Sequence, residues 1–171
     1  MNAVSEPALA ALCLGGNTGD VAHTFADALR ALEAGGAQVE QRSSVWRTPP
    51  WGKTDQPDFR NIAVIVRTHL PPRALLDLCL AIERQAGRVR LELWGPRTLD
   101  IDILAYDDVT MHEPGLTIPH PRMLERAFVL APLAEIAPQM VVAGVEVADA
   151  LQTVDTTGLT IDAEATAIVG S

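Results

Sequence analysis

Two rhythms of apolar and polar positions run along this chain. Ala8 to Leu14 is an unbroken apolar run ended by Gly15-Gly16, which predicts a buried strand. From Val21 to Ala34 the residues Phe25, Ala28, Leu29 and Leu32 fall at i, i+3, i+4 and i+7. That spacing predicts a helix, with Gly35-Gly36 as its stop. Val39 to Trp46 reads as a second strand, with Val39, Gln41, Ser43 and Val45 on one face. Asn61 to Thr68 reads as a third, with Ile62, Val64 and Val66 alternating with Ala63 and Ile65. Pro71-Pro72 then opens a helix through about Ala86, its inner face formed by Leu75, Leu78, Cys79 and Ile82. Proline at a helix start costs no hydrogen bond. Leu99 to Tyr106 is a strand closed by Asp107-Asp108, and short helices are expected near Met123 to Leu130 and Val147 to Val154.

The order β-α-β-β-α-β defines an α+β chain of the ferredoxin-like split βαβ type. By itself that order gives a mainly antiparallel sheet with helices on one face. Residues 1–154 are expected as one domain, and 155–171 as a C-terminal tail of unknown role. Two loops rich in Pro and Gly, Thr48 to Asp58 and Gly87 to Pro96, are where a site is expected.

Charge narrows the function. The 171 residues carry 13 basic and 22 acidic side chains, a net of -9. That argues against a nucleic-acid partner, which calls for a basic face, and against docking on an anionic membrane. No stretch approaches the ~20 apolar residues needed to span a bilayer. The run at Ala8 is short and has no basic flank, so no secretory signal is expected. Cys13 and Cys79 sit apart in apolar surroundings and read as buried free thiols, which fits a reducing cytoplasm. The charge is also uneven. From Val145 onward there are five acids and no base, leaving 13 bases and 17 acids before it. Lys53 is the only lysine, and Arg84, Arg88, Arg90 and Arg97 cluster within 14 residues. Arginine forks suit phosphate and carboxylate.

The sharpest local feature is Trp94-Gly95-Pro96-Arg97-Thr98-Leu99-Asp100-Ile101-Asp102-Ile103. Asp100 and Asp102 lie two apart on a predicted strand, so they share a face, roughly 6.5 Å apart along it. Paired carboxylates repel unless a cation intervenes, and Mg²⁺ favours one or two carboxylates plus phosphate oxygens. With Arg88, Arg90 and Arg97 close by, the ingredients of phosphoryl transfer are present. A second group is Arg47-Thr48-Pro49-Pro50-Trp51-Gly52 followed by Asp55 to Asn61. Trp51, Phe59 and Trp94 offer flat faces, and Asn61 can donate and accept, which suits a flat heterocycle. His120 stands between two prolines that fix its backbone. Gly15-Gly16-Asn17 lacks the spacing and the Lys of a phosphate-binding P-loop and reads as a turn.

These blocks, in this order and joined by Glu83 to Arg90 and Thr117 to Leu133, resemble the 6-hydroxymethyl-7,8-dihydropterin pyrophosphokinase family of folate biosynthesis. The resemblance runs from about Leu12 to about Val154. It implies a three-layer α/β/α arrangement and transfer of diphosphate from ATP to the pterin hydroxymethyl group, giving AMP. It further implies that Asp100 and Asp102 bind two Mg²⁺ ions and that Arg88 and Arg97 stabilise charge during transfer. Leu76, Glu83, Arg90, Trp94, Arg97, Ile103, Thr117, His120 and Arg126 are implied at the ATP site. Thr48, Pro50, Trp51, Phe59, Asn61 and Phe128 are implied at the pterin pocket. Small-molecule substrates and a monomeric, cytoplasmic enzyme are expected. The sequence departs from many relatives at Trp51 (often Leu), Phe59 (often Tyr) and Gly115 (Arg in some). The other readings of the same residues are a D-x-D nucleotidyltransferase and a non-catalytic ferredoxin-like binding module.

Overall fold

The structure is a computed structural model, and it describes residues 6–50, 55–87 and 98–171. Strand β1 spans Ala8–Gly16, helix α1 Val21–Ala34, β2 Ala37–Arg42, β3 Trp46–Thr48, β4 Phe59–Thr68, α2 Pro72–Gln85 and β5 Asp100–Tyr106. A small hairpin follows, β6 Met111–Glu113 and β7 Leu116–Ile118, then a 3-10 turn at Met123–Glu125 and helix α3 at Ala127–Ile136. The chain ends with β8 Val141–Val142, β9 Val145–Glu146, α4 Val147–Leu151, β10 Thr160–Ile161 and α5 Ala163–Gly170.

The main sheet runs β10-β3-β4-β1-β5, with β2 also on β4, and every pairing among the described residues is antiparallel. Counting β2 and β3 as one strand, this is the split βαβ order expected. Alternation sends Leu12, Leu14, Ile62, Val64, Ile101 and Ile103 to one face, where they pack with Phe25 and Leu32 of α1, Leu75 of α2 and Ala165 of α5. The other face holds Ala11, Cys13, Ala63 and Ile65, covered by Val129, Leu130 and Leu133 of α3 and by Ala150 of α4. Helices on one face only, as the element order alone gave, is therefore corrected. The elements after β5 cover the second face and complete the three layers.

Several boundaries also differ from expectation. The strand expected over Val39 to Trp46 divides into β2 and β3, both paired to β4, with a register shift between Val39 and Gln41. Ser43 bridges the gap. Its N–H donates to the Ala63 carbonyl, and its Oγ accepts from the Ala63 N–H at 2.9 Å. Serine hydroxyls that compete with ladder bonds in this way interrupt regular pairing. Strand β1 continues through Gly15 and Gly16, opposite Asn61 and Arg60. The helix expected at Met123 to Leu130 starts later, because Arg126 is extended at φ -115° and ψ 105°. It then runs through Pro132, which cannot donate to the carbonyl four residues back. Burial of Val129 to Leu133 outweighs that loss. The last short helix ends at Leu151 rather than Val154.

The segment after 154 is built into the fold. Strand β10 extends the sheet beyond β3, and α5 packs on the face shared with α1. Among the described residues no helix is long and apolar enough to cross a membrane.

Candidate active site

The register of the sheet assembles the site. Asp100 lies opposite Gly15 on β1, Gly15 lies opposite Asn61 on β4, and Asn61 lies opposite Trp46 on β3. Asp102 lies opposite Cys13, which lies opposite Ala63. Directly paired residues share a face. Asp100, Asp102, Cys13, Asn61 and Phe59 therefore all project toward the α3 side. Asp100 and Asn61 are two strand spacings apart, about 9.5 Å. Gly15 is what opens the space between them, since a Cβ there would stand 2.5 Å from Asn61 Oδ1. The Asn61 amide is buried, and among the described residues its side chain makes no hydrogen bond, a costly arrangement unless a ligand completes it.

Helix α3 closes this face. Phe128, on its first turn, is half-buried against the same cluster, and the Arg126 guanidinium lies 5.6 Å from its ring centre. At that distance the pair is a cation–π contact. The field at Cys13 reports what gathers there. Burial raises its thiol pKa most, Asp102 and Asp100 raise it further, and Arg126 opposes them. Two carboxylates and one guanidinium thus act on one buried atom.

His120 enters from the loop after β7. Its backbone N–H donates to the Leu104 carbonyl at 2.9 Å, and its Nδ1 accepts from the Arg122 N–H at 3.2 Å. Accepting at Nδ1 places the proton of the neutral ring on Nε2. Burial lowers the His120 pKa most, Arg126 and Arg122 lower it further, and Asp102 pulls the other way. The ring is therefore neutral at neutral pH, with Nε2–H as a donor.

The carboxylate strand is itself held. Buried Glu83 on α2 accepts from the Ile101 N–H at 2.8 Å. With His120 bound to Leu104, this covers outward-facing groups on β5, an edge strand that would otherwise offer them to another chain. On the far side, buried Asn17 donates to Gln56 Oε1 at 2.9 Å and to the Pro57 carbonyl at 3.0 Å, fixing the loop that leads into Phe59. Glu135 of α3 accepts from the Ser44 N–H and hydroxyl and from Trp46 Nε1, which ties α3 to the start of β3.

Of the residues expected at the site, Asp100, Asp102, Phe59, Asn61, Phe128, Arg126 and His120 come together on this side. Thr48 lies opposite Phe59 on β3, and Pro50 is half-buried just beyond it. Thr117 lies at the centre of β7, its hydroxyl 3.4 Å from His112 Nδ1. Ile103 and Leu76 pack in the core on the opposite face, and Glu83 acts from α2 through the backbone of β5. Trp51, Arg88, Arg90, Trp94 and Arg97 lie outside the described residues. The sequence reading missed the structural roles of Gly15, Asn17, Ser43 and Glu135. Only Asn17, a polar residue directly after an apolar strand, carried a local signal.

The residues fit Mg²⁺ in one specific way. Among the described residues no group of three or more His, Cys, Asp and Glu side chains could hold a metal alone. Two half-exposed carboxylates on one face supply hard oxygen donors, and phosphate oxygens would complete the shell.

Residues 11–138 match the model of the family described as 7,8-dihydro-6-hydroxymethylpterin-pyrophosphokinase (HPPK). The chain is 50% identical over 149 residues to the 2-amino-4-hydroxy-6-hydroxymethyldihydropteridine pyrophosphokinase of Methylorubrum extorquens, covering 86% of this chain and 94% of that protein. It is 44% identical over 133 residues to the enzyme of the same name from Bacillus subtilis, covering 77% and 80%. Among solved structures, a crystal structure of HPPK-DHPS in complex with substrates superposes with a TM-score of 0.70 at 14% identity, over 87% of this chain and 43% of that one. The wild-type Plasmodium falciparum HPPK-DHPS with pteroate gives 0.70 at 16%, over 86% and 44%. This chain thus spans less than half of those two-part proteins, and at such identity the likeness is one of fold. With the family matched over most of its length, the chain belongs to the 7,8-dihydro-6-hydroxymethylpterin pyrophosphokinases.

Proposed function

We infer that this protein transfers diphosphate from ATP to the hydroxyl of 6-hydroxymethyl-7,8-dihydropterin, releasing AMP, as a step of folate synthesis. The observation that carries the reading is the single sheet face on which the Asp100–Asp102 pair and the Asn61–Phe59 pair stand side by side. One pair suits a metal-bound polyphosphate and the other a flat, polar ring.

Phe59 and Phe128 supply flat faces for the pterin, and the Asn61 amide, unpaired among the described residues, donates to and accepts from its polar edge. Arg126 and the Nε2–H of His120 bind phosphate oxygens, where a neutral donor and a fixed cation do not compete for the same proton. Asp100 and Asp102 would hold two Mg²⁺ ions, which when bound neutralise charge on the phosphate chain. The pterin oxygen forms a bond to the β-phosphorus while the bond from that phosphorus to the α,β-bridging oxygen breaks. AMP leaves, and the hydroxyl proton is lost to solvent. No covalent enzyme intermediate is needed, because positioning and charge stabilisation carry the reaction. Arg88 and Arg97 would add charge during transfer, and Arg90, Trp94, Thr117, Leu76, Ile103 and Glu83 would line or support the ATP side. Thr48, Pro50 and Trp51 would complete the pterin side. Two buried free thiols support action in a reducing cytoplasm, and we take the enzyme to act there as a monomer.

The deciding assay combines ATP, Mg²⁺ and the pterin and separates the nucleotide products. AMP formed in step with pterin diphosphate is the expected result. Pyrophosphate release in place of AMP would reassign the site to nucleotidyl transfer. Absence of Mg²⁺-dependent binding of an ATP analogue would reduce it to a binding module.

A further inference from the structure

We infer that residues 155–171 form a clamp that positions the β3–β4 hairpin for the pterin, and that Asp162 is its operative group. The inference rests on the reading of Phe59 and Asn61 as pterin contacts.

The argument begins with a repulsion built into the sheet. Arg47 on β3 lies directly opposite Arg60 on β4. Paired Cβ atoms stand about 4.5–5.5 Å apart, and like charges so placed destabilise the pairing. The neighbouring pairs on the same ladder are Trp46–Asn61 and Thr48–Phe59. Phe59 and Asn61 flank Arg60 in sequence and project to the opposite face. Whatever holds Arg60 at the back therefore fixes the backbone that presents both ring contacts at the front.

Asp162 holds it. Its Oδ2 accepts from Arg60 Nε at 2.9 Å, in a pair whose side chains are only 26% and 14% exposed. Arg60 also reaches the Asp58 carbonyl at 3.4 Å, which ties in the end of the preceding loop. The Asp162 backbone N–H donates to the Val45 carbonyl at 2.8 Å, and its Oδ1 caps α5 by accepting from Ala165 N–H at 3.0 Å. Val45 N–H in turn donates to the Thr166 hydroxyl at 2.9 Å. Thr160 and Ile161 pair with Arg47 and Trp46. The Ala165 amide, then Arg60 and Arg47, hold the Asp162 carboxyl below the usual carboxylate range against the opposing effect of burial, so the carboxylate feels both arginines. A cleft of about 360 Å³ lined by Arg60, Asp162, Asn17 and Asp20 admits water beside the pair, which limits its strength without removing it.

Asp162→Asn isolates the charge. Asparagine remains a good helix cap, so α5 and the β10 pairing are retained while the attraction to both arginines is lost. Steady-state rates of AMP formation by the full chain, with each substrate varied in turn, are compared with thermal melting. The expected result is a rise of about 3- to 10-fold in KM for the pterin, with KM for ATP and kcat within about twofold of the parent. Arg60→Gln, which reads the same pair from its other side, is expected to match, and the double variant to add little more. An unchanged pterin KM in folded variants, with or without a lower Tm, would overturn the clamp, as would equal rises in both KM values. A parent protein that makes no AMP would instead overturn the underlying functional reading.

Discussion

At one edge of the sheet, β5 carries Asp100 and Asp102, and its outward-facing groups are taken by the Glu83 carboxylate and the backbone N–H of His120. At the other, β3 leads toward the loop proposed to face the pterin and is covered by a strand of two residues, β10, and a partly exposed ion pair. The first edge is held by buried, short-range bonds and the second by contacts that water reaches. Charge-bearing chemistry needs carboxylates kept within fractions of an ångström, whereas a stacking pocket that must admit a ring tolerates more give. Damage at the β5 edge should therefore appear in rate and stability, and damage at the β3 edge in binding of one substrate.

The strongest test of that contrast removes the carboxylates. Asp100→Ala and Asp102→Ala should each lower kcat/KM for AMP formation by more than about 100-fold, since loss of supporting residues alone typically costs 10- to 100-fold at metal sites. Pterin affinity should change little. Loss of pterin binding comparable to the loss of rate would erase the distinction between the edges. Gly15→Ala attacks the boundary between them. Its Cβ would meet Asn61 Oδ1 at 2.5 Å and force the amide to swing away. KM for the pterin should rise by about 10- to 100-fold with KM for ATP unchanged, the scale expected for an ångström of misplacement. Equal effects on both substrates would mean that Gly15 serves the sheet rather than Asn61.

How legible these edges were in the sequence follows from the range of the forces that build them. Helices α1 and α2 lie within a residue or two of their expected limits, because an apolar stripe at a 3.6-residue period is a local signal. The shared face of Asp100 and Asp102 follows from an i, i+2 spacing on a strand. That Asn61 and Phe59 stand on that same face depends on the register of β4 against β1 and of β1 against β5, which no local pattern encodes. The break at Ser43 was hidden because its hydroxyl substitutes for a ladder bond made by Ala63, twenty residues away. Strand β10 is too short to show any period, and it forms only because β3 offers an edge. A sequence cue for α5 existed in Asp162 followed by Glu164, a cap with an acidic first turn.

On the buried edge, Glu83→Ala leaves the Ile101 N–H without its acceptor. The expected cost is about 1–3 kcal/mol in denaturant unfolding, with a fall in kcat as the carboxylate strand loosens. Stability lost with kcat intact would show that β5 does not need this bond to aim its carboxylates.

The smallest effect expected is one of pH, and its sign follows from Asp162. The Ala165 amide and the Arg60 and Arg47 charges lower its pKa in the folded protein, whereas the unfolded chain has the ordinary value of about 3.9. The unfolded state therefore binds the proton first as pH falls. Stabilisation from the ionised group is fully present above that ordinary value and drains away as pH drops through the lower folded value. Asparagine has no proton to bind, so the Tm gap between the parent and Asp162→Asn should hold constant from neutrality to about pH 5 and narrow below about pH 4. Because the pair borders a cleft open to solvent, added salt should narrow the same gap at neutral pH. A gap independent of both pH and salt would mean that Asp162 secures the β3 edge through its cap and backbone bonds alone. The two edges would then differ in burial but not in the kind of force that holds them.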